Sequence, residues 1–223
     1  MGETRERQYE PLVELQRRKG LTSLGVMTSH AWDVDPKRLG FTLARYKFVA
    51  KMLAGRRHVL EVGCSDAFGT RIVVQEVGAL TAIDFDPAFV ADVNERMDPK
   101  WPFICKVHDV TASPAGNFDA AYSLDVLEHI APADERRFLT HVAASLGSDG
   151  VAIFGTPSLE SQAYASEISR AGHVNCKSLL QLKDVLLEYF ANVFMFGMND
   201  ETLHTGYPAM CHYLLALCCG PRR

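Results

Sequence analysis

The stretch Val59–Gly69, reading VLEVGCSDAFG, constrains this 223-residue chain more than any other. It begins as an apolar run of strand type and turns through small residues. From Thr70 to Val77 the apolar positions then fall at helical spacing. A strand that feeds a helix through a turn of exposed backbone N–H groups is how open α/β sheets hold nucleotide-like ligands. Two acids, Glu61 and Asp66, lie within the stretch. Carboxylates there suit hydroxyls and an ammonium group and repel a pyrophosphate.

The alternation continues downstream. Periodicity predicts strands over 58–63, 79–84, 103–108, 118–124, 151–155 and 193–196, with a seventh inside 207–218. Helices are expected over 41–53, 69–77, from Asp86-Pro87 onward, over 132–146 and from Ser178 to Phe190. Asp86 and Pro87 supply an N-cap and a first-turn proline, and Ser178 with Gln181 forms a capping box. Residues 4–19 predict a mostly solvated helix stopped at Gly20. Residues 21–40 read as a loop marked by Trp32, Asp33, Asp35 and Pro36, and 156–175 as a long insert or short irregular helix. The fold class is therefore α/β: an open, mostly parallel seven-stranded sheet, helices on both faces, and a C-terminal antiparallel hairpin.

Ligands on such sheets bind beyond the carboxyl ends of the strands, at the point where strand order reverses. Asp84, Asp109 and Asp125 each end a predicted strand. Asp84 follows Gly63 by 21 positions, close to the ~20 expected of a carboxylate that accepts both ribose hydroxyls. Position 65 is Ser and position 68 is Phe, so the turn departs from G-x-G-x-x-G. With no Tyr-x-x-x-Lys pair either, a nicotinamide-dependent oxidoreductase is disfavoured. On the helix before the first strand, Phe41, Arg45, Phe48 and Met52 share one stripe. A guanidinium there needs a partner, either a protein carboxylate or a carboxylate on the ligand.

The formal net charge of −4 argues against a nucleic-acid binder that works by neutralising phosphates. The apolar runs are short of a membrane span and Met1 to Arg7 lacks a signal-peptide core, so a cytoplasmic protein with no membrane partner is expected. Cys64, Cys105, Cys176, Cys211, Cys218 and Cys219 form no C-x-x-C pair and read as reduced core thiols. Adjacent Cys218 and Cys219 are the pair that merits a redox check. No metal is expected.

Five stretches in order carry a family resemblance: VLEVGCSD from Val59, Ala82-Ile83-Asp84, Asp109-Val110, FDAAYSLDVLEHI from Phe118, and LGSDG from Leu146. Together they resemble the motifs of class I S-adenosylmethionine-dependent methyltransferases, with a Rossmann-like sheet. An N-terminal helix and cover segment is expected over 1–40, and the resemblance implies a methyltransferase domain over 41–223 with an insert at 156–176. It implies S-adenosylmethionine as cofactor. Glu61, Gly63, Cys64, Ser65 and Asp66 would cradle its methionine part, Asp84 the ribose, and Asp109 with Val110 the adenine, with Phe85 also among the cofactor-binding residues. Asp125 and Val126 would lie near the sulfonium and amino group, with Arg45 as the candidate for the carboxylate. Two family glycines are absent, with Ser65 and Ala67 in their places.

Methyl transfer to a hydroxyl needs a base, and His129, His173 and His204 are the candidates. The flanks Arg45–Val49 and His204–Gly206 are similar to bacterial methyltransferases of surface-carbohydrate pathways. A small polar acceptor follows, methylated on oxygen in preference to nitrogen, in a sugar or phosphorylated carbohydrate precursor. The alternative is a non-catalytic methyltransferase-like subunit. Oligomeric state is not legible.

Overall fold

A computed structural model describes residues 4–222. Met1 to Glu3 and Arg223, at the limits of the two expected segments, lie outside the described residues. The strands are β1 (Val59–Val62), β2 (Leu80–Asp84), β3 (Ile104–Val107), β4 (Phe118–Leu124), β5 (Leu146–Pro157), β6 (Phe190–Asn199), β7 (Thr202–His204) and β8 (Tyr213–Pro221). The α-helices are α1 (Glu10–Lys19), α2 (Val26–Val34), α3 (Lys37–Met52), α4 (Thr70–Val74), α5 (Pro87–Glu95), α6 (Pro132–Ala144), α7 (Glu167–Gly172) and α8 (Leu179–Leu187).

All eight strands share one sheet, ordered β3-β2-β1-β4-β5-β8-β6-β7. Pairing is parallel from β3 through β5 and antiparallel from β5 to β8, β6 and β7. Strand order reverses between β1 and β4, which fixes the switch point. β1 and β2 are buried along their whole length. Helices on both faces are what such continuous apolar strands require. The period of two sends Leu60 and Val62 to the face covered by α6 and α8, with Phe138, Leu139, Leu182 and Leu186. It sends Val59 to the face covered by α3, α4 and α5, with Val49, Val73 and Val93.

Local signals behave as expected at two helix starts. The Asp86 carboxylate accepts the Ala88 N–H at 2.8 Å, and Ser178 with Gln181 forms the full capping box. Other expectations need correction. The sheet has eight strands and not seven, because Thr202–His204 folds back on β6 across Asp200-Glu201, with Asp200 at φ 50°. Residues 21–40 are not a loop: they contain α2 and the start of α3. Helix 69–77 shrinks to five residues. The 132–146 helix ends at Ala144, and the chain enters β5 at Leu146, with an irregular register opposite Phe118 to Ala120.

The physical reason for α2 lies far along the chain. The Asp66 side chain accepts the Thr28 N–H at 2.7 Å, placing a carboxylate at the helix N-terminus. Gly25 permits this approach, since a Cβ there would lie 2.2 Å from that of Asp66. No sequence window around α2 contains its cap.

Candidate active site

The turn after β1 has Ser65 and Ala67 at two of its left-handed positions. Gly63, Ser65 and Ala67 all take left-handed backbone, at φ 74°, 48° and 50°. For Ser65 and Ala67 this is an uncommon conformation that the surrounding contacts must hold. The N–H groups of Gly63 and Cys64 donate to the Ile83 carbonyl at 2.8 and 3.1 Å, and Ser65 N–H donates to Asp84 at 2.8 Å. At Gly63 a Cβ would come within 2.4 Å of the Val126 side chain, so β1 and the end of β4 meet directly.

Asp84 is buried, and its second oxygen accepts the Asp86 N–H at 2.9 Å. Each oxygen thus keeps capacity for a further donor. Phe85 beside it is 74% exposed. The Asp84 carbonyl accepts the His108 N–H at 2.9 Å, which brings the end of β3 alongside. Asp109 folds one oxygen onto the N–H and hydroxyl of Thr111, at 2.8 and 2.7 Å; the Thr111 hydroxyl holds its carboxyl below the usual range. Val110 is buried, its carbonyl 2.7 Å from His141 Nδ1.

Two acids serve the protein's own structure. Asp66 caps α2. Glu61, next but one to Val59, faces α3 and α4, where it accepts the Tyr46 hydroxyl at 2.8 Å and the Thr70 hydroxyl at 2.6 Å. Both its oxygens are engaged on the side of the sheet, away from the strand end. Burial pushes its carboxyl up to about 7. A raised native value means that the folded state holds a proton the unfolded chain has released. Stability from this group is full below its ordinary value near 4.5 and is lost as pH rises through 7. The difference is about 3 kcal/mol. Glu61→Gln is expected to flatten the fall in melting temperature between pH 4.5 and 7; thermal melts of both proteins across that range check it, and parallel curves would refute it.

Arg45 emerges from α3 onto the switch point. One terminal nitrogen contacts both oxygens of Asp125 at 2.9 Å, and its guanidinium carbon lies 3.6 Å above the Tyr213 ring. The protein carboxylate is therefore present, at a residue held in left-handed backbone (φ 57°). Arg45 Nε is buried without a hydrogen bond among the described residues.

Three residues after Asp125, Glu128 is buried and accepts the Thr156 hydroxyl at 3.1 Å. Burial, then the nearby Asp125 charge, pushes its carboxyl well above the usual range. His129 and His173 meet beside it, ring centroids 5.1 Å apart. Burial and His129 lower the His173 imidazole below its ordinary value. His204 is elsewhere: its ring nitrogens engage Asn199 at 2.8 Å and the Gly206 N–H at 2.9 Å, committing it to the β6–β7 hairpin. The sequence order hid the meeting of Glu128 with His173, which the 156–176 insert delivers.

A cleft of about 740 Å³ lies at the opposite end of the sheet near His58, Asp119 and Gly147–Gly150. It is at the amino ends of β1 and β4, where α/β sheets do not place their ligands. At the carboxyl ends, the donor set fits an adenosyl sulfonium with an amino-acid tail. Asp84 has acceptor capacity for a diol, Phe85 offers an open ring, and Arg45 Nε is a buried donor awaiting an acceptor.

Residues 59–150 match the family described as methyltransferase domain. A probable S-adenosylmethionine-dependent methyltransferase of Mycobacterium tuberculosis is 26% identical over 140 residues, 61% of this chain and 48% of its own. One from Mycolicibacterium smegmatis is 29% identical over 119 residues, 51% of this chain and 44% of its own. The chain spans about half the length of the curated relatives it matches. Among solved structures, the N-methyltransferase NodS of Bradyrhizobium japonicum with S-adenosyl-L-homocysteine aligns with a TM-score of 0.60 at 20% identity. That alignment covers 86% of this chain and 91% of NodS. The fold is the Rossmann-like methyltransferase fold. Among the described residues no helix is long and apolar enough to cross a membrane.

Proposed function

We propose that this chain transfers a methyl group from S-adenosylmethionine to an oxygen of a small polar acceptor, a sugar or phosphorylated carbohydrate precursor being the favoured class. The observation that carries this is the gathering of Asp84, Asp125 and the Glu128–His129–His173 group along the carboxyl ends of β2 and β4. When bound, the cofactor supplies an electrophilic methyl on a sulfonium. The Gly63–Asp66 backbone holds its methionine part, Asp84 its ribose, Phe85 with Asp109 and Val110 its adenine, and Arg45 its carboxylate. Asp125 and Val126 border the sulfonium. The chain's main task is alignment, with His129 or His173 taking the proton of an acceptor hydroxyl. α2, tied to Asp66, forms part of the cover over the site.

Calorimetry with S-adenosylmethionine, S-adenosylhomocysteine and NAD tests the cofactor. Tight NAD binding without the sulfonium would end this reading. A methylation screen over carbohydrate, phosphate, phenolic and amine acceptors then tests the chemistry. Amines belong in it because NodS is an N-methyltransferase. Cofactor binding with no turnover on any acceptor would favour a non-catalytic subunit.

A further inference from the structure

We propose that Glu128, His129 and His173 form a binding site for a first-row divalent transition metal, on the acceptor side of the methyl-transfer site. One ligand atom from each lies within 4.8 Å of the other two. The sequence suggested no metal, because His173 is remote in the chain and joins the others only through the insert.

The protein has already oriented both imidazoles. His129 Nδ1 lies 2.9 Å from the Gly172 carbonyl, which can only accept, so this nitrogen carries the proton. His173 Nδ1 lies 2.8 Å from Gln162 Oε1. The Gln162 amide nitrogen donates to the Ser158 carbonyl at 3.1 Å, which turns its oxygen toward the ring. In both rings the other nitrogen, Nε2, is left without a hydrogen-bond partner among the described residues. An imidazole fixed through one nitrogen by a backbone or amide oxygen is the outer-shell arrangement of metal-bound histidine.

Glu128 completes the set. It is 1% exposed, only one of its oxygens is hydrogen-bonded among the described residues, and it makes no salt bridge there. Of the cations near it, Arg45 pairs with Asp125 and Lys177 with Glu135. Asp125 lies near both Glu128 and His173, with Arg45 and Arg38 as the opposing charges. A buried carboxylate without a salt-bridge partner is a costly arrangement that a dication would relieve. Ligand distances near 2.0–2.2 Å would bring the three atoms to roughly 3–3.5 Å of one another. Rotation of the exposed His129 and half-buried His173 can supply that closure. Two imidazoles and one carboxylate suit Zn²⁺, Mn²⁺, Fe²⁺ or Co²⁺ better than Mg²⁺ or Ca²⁺, which prefer all-oxygen sets. Three protein ligands leave positions open, and an acceptor hydroxyl placed there would lose its proton to solvent more easily, the metal then standing in for His129 or His173 as the activating group.

This use of the metal rests on the methyltransferase reading; the site itself is tested separately. Chelator-treated protein is titrated with Co²⁺ and followed by visible absorption. One equivalent should bind, and His129→Ala, Glu128→Gln and His173→Ala should each weaken it tenfold or more. Gln162→Ala, which only orients His173, should weaken it about 10–100-fold. His173 caps a short surface helix, so its variant leaves the core packed and is the decisive one; circular dichroism confirms its fold. Absence of Co²⁺ binding, or affinity unchanged in His173→Ala, would overturn the proposal. So would a thiolate-to-cobalt charge-transfer band removed by Cys64→Ser, since Cys64 and Cys105 sulfurs lie 3.9 Å apart. S-Adenosylhomocysteine calorimetry on the same samples separates the cases: cofactor binding without Co²⁺ binding sinks the metal site alone, and the reverse sinks the methyltransferase reading alone.

Discussion

Replacing Asp84 by alanine is expected to weaken S-adenosylhomocysteine binding about 100-fold while the protein stays folded. Asp84 already accepts Ser65 and Asp86 N–H groups at 2.8 and 2.9 Å, one on each oxygen. A ribose diol would use the remaining lone pairs, and a hydrogen bond to a charged group is worth about 1.5–3 kcal/mol. Removing the carboxylate also leaves the Ser65 N–H without its acceptor. Ser65 is held at φ 48°, so the turn that should hold the methionine part loses one of its restraints. Two losses therefore compound at one residue. Asp84→Asn keeps one acceptor oxygen and should fall between wild type and Asp84→Ala. Calorimetry at constant salt reads the affinities, and thermal melts show whether each variant is folded. A folded Asp84→Ala that binds the ligand as tightly as wild type would remove Asp84 from the cofactor site.

What could be read in advance follows the range of the interactions. β4 was legible to the residue, because Phe118–Leu124 is an apolar run with acids near both ends. The caps at Asp86 and Ser178 were legible because partner and cap lie within three residues. α2 was not, because its capping carboxylate belongs to Asp66. β7 was hidden by its three-residue length and by a turn through Asp200, which is not glycine. For Arg45 the helical period identified an inward guanidinium and left two partners open; only the sheet brings Asp125 to it. Glu61 is the instructive case. Its place in a cofactor motif suggested a ligand contact, whereas the alternation Val59–Glu61 aims it at α3 and α4, where Tyr46 and Thr70 occupy it. His129 and His173 each looked like a lone candidate base. Their pairing over Glu128 is a tertiary fact, and it changes the chemistry they can do.

The second large effect is on stability and reaches the same site. Phe154→Ala is expected to destabilise the fold by about 3–5 kcal/mol, the range for removing a fully buried phenylalanine. Phe154 is 1% exposed in β5, paired with Ser123 of β4 on one side and Ala216 of β8 on the other. Its ring packs edge-on to Phe190 at 6.0 Å between centroids. β5 joins the parallel half of the sheet to the antiparallel half, so a cavity there has rigid ladders on both sides and little freedom to collapse. For a chain of this length the loss corresponds to a melting temperature lower by roughly 6–20 °C. Phe194→Ala is the control: on β6, two strands away, it is 54% exposed, and it should cost far less. Two residues beyond Phe154, on the same face of β5, Thr156 holds Glu128. A slackened β5 should therefore also lower Co²⁺ affinity in Phe154→Ala, measured well below its melting temperature, and leave it unchanged in Phe194→Ala. Equal melting temperatures for the two variants would show that β5 does not carry the packing assigned to it.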